Sequence, residues 1–452
     1  MKELIAHSGP VTVVALNDHA FAAITLDGNI HLVKLCVSNS SASSGTKNDQ
    51  GKTQNLNPHA VQAVAVKFSE ENKHLLCAVS RYDKHLSVYS LSLENAELEK
   101  EKEPTIVHKT NKRCCALAFA DIPYKNKIGS SLNVIIAADL AGDVNAFPVT
   151  VAEKAETDDC DKQVQRLLLG HTASMLTAVK IIDGMIFTAD RDEKVRVSSF
   201  PLTYNVLGYL LGNEAYVTDI DVKKDKYCVT TSGDCSIRLW DYDKCVELAC
   251  FDCKQDKEVD SSADDKGTRG DDETNNDEST HIPVRVTANQ LGDTIAVIYN
   301  EKNIVDLFSV VEKSGSQMIQ KTQSLNCTNP LAISFLSNDL LVLGKEPTYM
   351  TRFVKNISGE YESAKESCKV SAAVQKIGQE CGIIMPESIL ETDNTGKIKL
   401  MKNIKEDGEG FVDHKPWLNG DRVLKTKEKE RKRKKRRLEE KLAAGSTVED
   451  LS

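Results

Sequence analysis

The chain has 452 residues, of which 40% are hydrophobic and 28% are charged, a composition typical of a protein with a buried core. No apolar run reaches the roughly 18 residues that a membrane-spanning helix needs, and the N-terminus turns polar too early for a signal peptide. The thirteen cysteines are odd in number and scattered through apolar stretches, which favours free thiols in a reducing compartment. We therefore expect neither a membrane protein nor a secreted one.

The net charge of −9 is unevenly distributed along the chain. Residues 425–437 hold ten Lys or Arg and two Glu, so this run alone carries +8 and the rest of the chain carries −17. An acidic body argues against a nucleic-acid-binding core, whereas a basic run suits contact with a polyanion or an import receptor.

A short pattern recurs along the first 356 residues: an apolar residue, any residue, a second apolar residue and usually an aromatic one. Its copies begin at Ile30, Leu86, Val144, Val195, Ile237, Val305 and, more weakly, Met350. Two apolar segments of strand length precede each copy, and in four copies an acid lies three residues ahead of the start: Asp27, Asp83, Asp192 and Asp234. Each unit thus reads as strand, strand, tight turn and strand, with a fourth strand following in several units.

Seven four-stranded units of roughly 40–45 residues, with insertions, are typical of a β-propeller. We predict an all-β protein, a seven-bladed WD-repeat β-propeller over residues 1–356, in which Lys2–His7 supplies the outer strand of the seventh blade. Polar insertions near 38–57 and 252–281 are expected to be disordered, because they cannot bury enough apolar surface to offset ordering entropy. A less regular C-terminal extension (357–420) and a basic helical tail (421–452) follow.

The marks of a WD repeat are a Gly-His, a turn Asp and a Trp-Asp. We assign this structural role to His171, Asp192, Asp234, Trp240 and Asp241. His171 and a neighbouring acid could instead form a catalytic pair, but a His that supports the turn through hydrogen bonds is the favoured interpretation, since buried polar groups are normally paired.

Motifs for chemistry are missing from the sequence. It has no phosphate-binding Gly-rich loop, and Cys250 and Cys253 form a Cys-x-x-Cys without the second pair that a zinc site needs. An enzymatic propeller would need acids, His or metal ligands converging from several blades, and no such set is evident. We expect no catalytic residue, no metal and no cofactor bound by this chain.

The segment Thr188–Ser198 packs six charges into residues 190–196. An ordinary solvated turn would explain the charges, but Arg196 falls at a strand position. An arginine held in a rigid sheet suits a bidentate bond to the carboxylate of a partner protein.

This run, together with Leu169-Gly170-His171 and the segment from Ser232-Gly233-Asp234 to Arg238-Leu239-Trp240-Asp241-Tyr242, closely resembles one WD-repeat family. It is the family of the non-catalytic WD-repeat subunit of the tRNA (guanine-N7) methyltransferase, called Wuho in insects. The strong match covers Gln163–Phe251, and it departs from the family at Gly212-Asn213, where a Gly-His is expected.

The resemblance implies a non-catalytic propeller that holds the catalytic methyltransferase, as a heterodimer, in its active form. That partner carries S-adenosylmethionine and methylates N7 of a guanine in the tRNA variable loop, so this chain meets tRNA through the complex. The family's contact with the enzyme includes a cation, which corresponds here to Arg196, with Arg191 and Lys194 as neighbours.

The basic run Lys432, Arg433, Lys434, Lys435, Arg436, Arg437 allows three interpretations: a nuclear import signal, contact with the tRNA backbone, or a solvated helix. The first predicts a nuclear protein and leaves a cytoplasmic location open as well. The competing function is a generic nuclear WD-repeat scaffold, such as a substrate receptor of a ubiquitin ligase, because propellers host many partners.

Overall fold

The computed structural model describes residues 4–8, 11–17, 20–25, 30–34, 61–69, 74–92, 103–123, 131–149, 166–172, 174–254, 282–313, 315–344 and 350–364. The predicted insertion at 38–57, most of the one at 252–281, the extension from residue 365 and the basic tail lie outside these ranges.

The described strands form seven four-stranded antiparallel sheets, each made of strands that follow one another in the chain. Blades 1 to 3 comprise β1 Ile5–Ser8, β2 Val11–Asn17, β3 Ala20–Thr25, β4 Ile30–Lys34; β5 Val61–Ser69, β6 His74–Arg81, β7 His85–Ser92, β8 Ile106–Lys109; β9 Cys114–Pro123, β10 Ser131–Asp139, β11 Asp143–Pro148 and β12 Arg166–Gly170. Blades 4 and 5 comprise β13 Leu176–Ile182, β14 Met185–Asp190, β15 Lys194–Ser199, β16 Val206–Leu211; β17 Val217–Lys223, β18 Tyr227–Ser232, β19 Ser236–Asp241 and β20 Val246–Asp252. Blades 6 and 7 comprise β21 Pro283–Ala288, β22 Thr294–Tyr299, β23 Ile304–Lys313, β24 Ser316–Asn326; β25 Ala332–Leu336, β26 Asp339–Leu343, β27 Met350–Lys355 and β28 Tyr361–Ser363.

The seven sheets are arranged in a closed ring. The first strands of successive blades contact one another, and β25 of the seventh blade contacts β1 of the first. These seven first strands line a central channel of about 570 Å³. The prediction of an all-β, seven-bladed propeller is confirmed. No helix within the described ranges is long and apolar enough to span a membrane.

The ring does not close as the sequence suggested. Instead of adding an outer strand to the seventh blade, β1 pairs with β2, with Ile5 opposite Val14, and it borders the channel. Burial explains this position, since Leu4 and Ile5 pack into a core cluster shared with blades 2 and 7. Blade 7 completes its own sheet with β28, so its strands extend past the predicted boundary at 356.

The core lies between neighbouring blades, and alternation along each strand builds it. On β15, Val195 and Val197 are fully buried against Val217 and Ile220 of blade 5. The alternate side chains, Lys194 and Arg196, project from the opposite face of the same strand. A single strand therefore contributes both to the core and to a charged surface.

The turn between the second and third strands has one recurrent feature, a residue with positive φ two positions before the third strand's first apolar residue. It is Lys84 (φ 68°) in blade 2, Glu193 (φ 73°) in blade 4 and Cys235 (φ 67°) in blade 5. In blade 3 the position is Gly142, where an added Cβ would lie 2.5 Å from the backbone oxygen of Ser174. Only glycine fits there, because both the φ and the space exclude a side chain.

Candidate functional site

A buried hydrogen-bond network supports the hairpin of blade 4. His171 Nδ1 donates to Asp190 Oδ2 at 2.9 Å, and His171 Nε2 lies 2.8 Å from Thr188 Oγ1. The other oxygen of Asp190 accepts from the backbone N–H of Lys194 at 3.0 Å. Because His171 and Asp190 are enclosed, this pair fixes the hairpin and does not face a substrate.

Asp192 does not hold the place that the sequence assigned to it. It is half-exposed, and its described contact is with Arg191, at 3.6 Å, whereas Asp190 supports the turn. Blade 3 uses the same position, since Asp139 accepts from the N–H groups of Ala141 and Asp143. In blades 2 and 5 the acid that supports the turn is Asp83 or Asp234, which stands two residues closer to the third strand.

Blade 5 builds an equivalent network from different residues. Trp240, 1% exposed, donates its indole N–H to Thr230 Oγ1 at 2.9 Å, and Thr230 contacts the amide of Asn213 at 3.4 Å. Arg238 Nη1 donates to the same amide oxygen at 3.3 Å and to Asp234 Oδ2 at 2.7 Å. Asn213 thus stands where the family's Gly-His is expected, and Arg238 connects it to the turn acid.

Asp234 and Asp241 stabilise turns of this blade. Burial raises the pKa of Asp234, but hydrogen bonds from the Glu214 N–H, Ser236 and Arg238 outweigh burial and leave the pKa below its usual value. Asp241 accepts from both the N–H and the ammonium of Lys244, which lowers its pKa as well. Both carboxylates are therefore structural.

Arg196 lies on the face of β15 that looks toward blade 3. Its Nε donates to Ser198 Oγ at 2.9 Å, and its two terminal nitrogens donate to the carbonyl oxygens of Gly170 (3.3 Å) and Thr203 (2.9 Å). The guanidinium therefore bridges blades 3 and 4 rather than entering the channel. Within the described ranges no carboxylate pairs with it.

The two neighbouring cations differ in their surroundings. Arg191 lies at the hairpin tip, where its guanidinium contacts Asp192 and lies 3.8 Å from the sulfur of Met175. Lys194 begins β15, directly opposite Leu211 of β16, just as Arg196 stands opposite Tyr209. Lys194 and Arg196 therefore share one face of blade 4, with Arg191 at the end of that face.

An exposed apolar rim lies beside Arg196, and sequence reasoning missed it. We define the blade 4 rim as these exposed residues of β16 and the loop before it: Leu202, Tyr204, Val206, Leu207, Tyr209 and Leu211. Tyr204 is 79% exposed and Leu211 is 63% exposed. The signal was the uncharged sequence Val-Leu-Gly-Tyr-Leu-Leu of β16, which resembles a core strand but lies at an edge.

The central channel holds two acids with structural partners. Asp219 Oδ2 accepts from the N–H of Val286 at 3.2 Å, and Asp221 Oδ2 accepts from the N–H of Ala288 at 2.8 Å, so each links blade 5 to blade 6. Burial raises the pKa of Asp219, and nearby Arg285 opposes that rise.

The cysteine pair noted in the sequence lies at the end of β20 and directly after it. Cys250 is exposed, whereas burial raises the pKa of Cys253 to about 12. Among the described residues no three His, Cys, Asp or Glu side chains converge as metal ligands would. The basic run Lys432–Arg437 lies outside the described residues.

The closed ring of four-stranded sheets, with His171 and Trp240 in their supporting networks, defines the class as a WD-repeat β-propeller protein. Residues 151–345 match the family model described as the tRNA methyltransferase TRM82 WD40 domain. Through this region the chain is similar to the TRM82 family of WD-repeat proteins. The region includes blade 4 and its charged hairpin.

Relatives with curated names agree with this assignment. The mouse tRNA (guanine-N(7)-)-methyltransferase non-catalytic subunit WDR4 is 35% identical over 31% of this chain and 30% of the relative. The non-catalytic subunit TRM82 of Saccharomyces cerevisiae (strain ATCC 204508 / S288c) is 32% identical over 41% of this chain and 38% of the relative. The Dictyostelium discoideum subunit wdr4 is 25% identical over 66% of this chain and 59% of the relative. The matches thus span between about a third and three fifths of these relatives.

Among solved structures, the WD40 β-propeller domain of Doa1 is similar with a TM-score of 0.47 and 14% identity, over 78% of this chain and 92% of that one. The RRP9 WD40 repeats align with a TM-score of 0.49 and 15% identity, over 74% and 84% of the two chains.

Proposed function

We propose that this chain is the non-catalytic subunit of a tRNA (guanine-N7) methyltransferase and binds the catalytic subunit as a heterodimer. The observation that carries the proposal is the TRM82 match over residues 151–345, which includes the rigid hairpin bearing Arg191, Lys194 and Arg196. The names of the relatives support a subunit that is not itself the catalyst.

The geometry of Arg196 supports its assignment to partner binding. Its three hydrogen bonds go to neutral oxygens, whereas Arg238 and Arg352 pair with carboxylates. A guanidinium has five N–H groups, so N–H groups remain for a carboxylate brought by a partner. The adjacent blade 4 rim supplies the apolar area that a stable interface needs.

The propeller acts on the rate through populations of the catalytic subunit. If that enzyme alone is mostly in an inactive conformer, binding its active conformer more tightly raises the active fraction, and only the difference in affinity counts. S-adenosylmethionine belongs to the catalytic partner in this scheme, and the propeller supplies no group to the methyl transfer.

The basic run Lys432–Arg437 extends the proposal to tRNA and to location. Lysine and arginine side chains neutralise backbone phosphates without reading sequence, so contact here would strengthen tRNA binding in a salt-dependent way. The same run suits nuclear import, with a cytoplasmic fraction of the protein also compatible. A generic nuclear scaffold, such as a ubiquitin-ligase substrate receptor, is not favoured because the family match and the relatives' names point to the methyltransferase.

Co-expression with the catalytic methyltransferase tests the function directly. We expect N7-methylguanine in tRNA when both chains are present and none with this chain alone, measured by mass spectrometry of digested tRNA. A catalytic subunit that is equally active with and without this chain would overturn the proposal.

Charge reversal tests the role of Arg196. Arg196→Glu should weaken the affinity for the methyltransferase by about tenfold or more, because the new negative charge would repel the partner's carboxylate. Titration calorimetry measures this affinity. Arg196→Lys should weaken binding less, since it keeps the positive charge and loses only the planar guanidinium that can bind a carboxylate through two N–H groups.

The matched control is Lys109→Glu, at an exposed cation on the outer strand of blade 2, and its affinity should be that of the wild type. Arg196 also donates hydrogen bonds to Gly170 and Thr203, so its replacement could destabilise the propeller. Thermal unfolding of each variant shows whether weaker binding results from such a loss of stability. Wild-type affinity of a folded Arg196→Glu protein would contradict the assignment.

A further inference from the structure

The outer strand of blade 4 differs from the other six. Each of the strands β4, β8, β12, β20, β24 and β28 contains at least one Lys, Arg, Asp or Glu, whereas β16 contains none. β16 also contains no proline, and five of its six residues are large and apolar. Outer strands of sheets usually carry charges or proline, because an unprotected edge invites another chain to pair with it.

The side chains of β16 are divided between two environments. Leu210 is fully buried in the cluster that joins blade 4 to blade 5, and a Cβ added to Gly208 would lie 2.4 Å from the sulfur of Cys245. This packing holds the strand in place. Val206, Leu207, Tyr209 and Leu211 remain exposed, so the strand presents a fixed edge rather than a loose one.

Charge is concentrated beside this edge on the face that looks toward blade 3. Tyr209 stands directly opposite Arg196, and Leu211 stands opposite Lys194, so each exposed apolar side chain has a cation as its cross-strand neighbour. The other wall of the same surface is β12, where the carbonyl oxygens of Leu168 and Gly170 accept from Thr203 and Arg196. An extended segment lying along β16 would therefore meet apolar side chains and, one strand inward, two cations.

We propose that β16 binds an extended segment of the catalytic methyltransferase as a fifth strand of blade 4, and that an acidic side chain of this segment pairs with Arg196. Strand addition of this kind draws its affinity from main-chain hydrogen bonds and its specificity from alternate side chains. The side chains of this segment that cover the blade 4 rim are apolar, and the side chain beside Arg196 is acidic. This inference rests on the proposed function, since it names the part of that partner that docks.

Hydrogen exchange followed by mass spectrometry distinguishes strand addition from contact through side chains alone. In the full-length chain, binding of the methyltransferase should slow exchange of alternate amides in residues 206–211 by about tenfold or more, because new main-chain hydrogen bonds protect them. Amides of the outer strand β24 in blade 6 serve as the internal reference and should not change.

Two variants test the edge itself. Leu207→Lys gives β16 the kind of charge that the other outer strands carry, and Tyr209→Lys removes the aromatic cover beside Arg196. Each should weaken the complex by about tenfold or more, because apolar contact is lost and a charge is desolvated. The matched control is Met318→Lys, at an exposed apolar residue on the outer strand β24, which should bind like the wild type.

The outcomes separate this inference from the proposed function. Protection of 206–211 together with weakened binding of both variants supports strand addition. An active complex in which these amides exchange as in the free chain overturns strand addition, whether or not the variants bind weakly, and leaves the proposed function intact. If the wild-type chain does not bind the methyltransferase at all, the proposed function is overturned, and so is the proposal that a methyltransferase segment pairs with β16.

Discussion

Blades 4 and 5 reach the same architecture with different residues. Blade 4 uses His171, Asp190 and Thr188, whereas blade 5 uses Asn213, Thr230 and Trp240 with Arg238 as a connector. In both, a buried polar side chain from the loop before the blade reaches a threonine on the second strand. The requirement is that each buried donor and acceptor be satisfied, not that a particular residue do it.

The turn acid of blade 5 makes a testable contribution to stability. The pKa of Asp234 is below its usual value in the folded state, so Asp234 stabilises the fold above about pH 4, its usual pKa, and this contribution is lost as the pH falls through the lower folded value. Asp234→Asn should cost about 2 kcal/mol at pH 7, because charged hydrogen bonds to Arg238 and backbone N–H groups are weakened.

Thermal or urea unfolding between pH 7 and pH 3 measures this effect. The difference between wild type and Asp234→Asn should shrink as the pH falls below about 4. Asp243→Asn, at an exposed loop acid of the same blade, is the control and should leave stability unchanged within about 0.5 kcal/mol at every pH. A difference that stays constant with pH would contradict the assigned role.

The sequence predicted three residues of these networks, His171, Asp234 and Trp240, and missed the threonines and Asn213. The Gly-His and Trp-Asp marks identified His171 and Trp240 from their spacing alone. The hairpin tip of blade 4, however, has acids at 190 and 192, and both are two residues or fewer from the turn. Only the path of the turn decides which carboxylate reaches His171, and strand periodicity carries no information about it.

At the scale of elements, the second hairpin of blades 2 to 5 has the same turn conformation. Its turn needs a residue with positive φ, and the chain meets the requirement with Lys84, Gly142, Glu193 or Cys235. Non-glycine residues accept this conformation at a cost of about 1–2 kcal/mol. Glycine is required only where the neighbouring chain comes close, as at Gly142.

Two substitutions separate the cost of φ from the cost of crowding. Gly142→Ala should destabilise the protein by more than about 2 kcal/mol, because it adds a backbone clash to the unfavourable φ of +100°. Gly184→Ala, at φ +72°, where the nearest atom is 3.8 Å from the added Cβ, should cost only about 1–2 kcal/mol. Chemical denaturation measures the free energy of unfolding of both variants. Equal losses would show that the chain near Gly142 shifts to make room for the added methyl group.

Strand order in blade 1 was the element-level feature that the sequence did not predict. Val11, Phe21 and Ile30 lie in strands as expected, but these are the second, third and fourth strands of the blade, not the first three. Alternation specifies that a segment is a strand and which face is buried. It does not distinguish two sheets that could each accept Ile5–Ser8, and burial of Leu4 and Ile5 against blades 2 and 7 decides between them.

At the scale of the whole molecule, closure of the ring depends on one shared core. A single cluster joins Ile5 and Val13 of blade 1, Val64 of blade 2, and Leu336 and Leu341 of blade 7. The first and last described blades are therefore held together by apolar packing, because each sheet contains only its own four consecutive strands.

Deletion of residues 1–8 tests this closure. It removes the innermost strand of blade 1 and exposes the shared cluster, so we expect loss of the single cooperative unfolding transition seen by calorimetry. Deleting the outer strand β28 (residues 361–363) is the comparison and should lower the melting temperature while keeping one transition, since Tyr361 is its only buried residue. The reverse order of severity would indicate that the N-terminal strand lies at the outside of the ring.

The seam between blades 1 and 7 also has a mechanical consequence. Rings in which two ends of a chain share one sheet resist pulling through a row of backbone hydrogen bonds that must shear together. Here force applied to the N-terminus would first peel β1 away from β2, and the described strands of blades 1 and 7 would then separate by parting the side chains of their shared cluster. Stretching from that end should therefore extend the chain in small early steps, one blade at a time, starting at the seam.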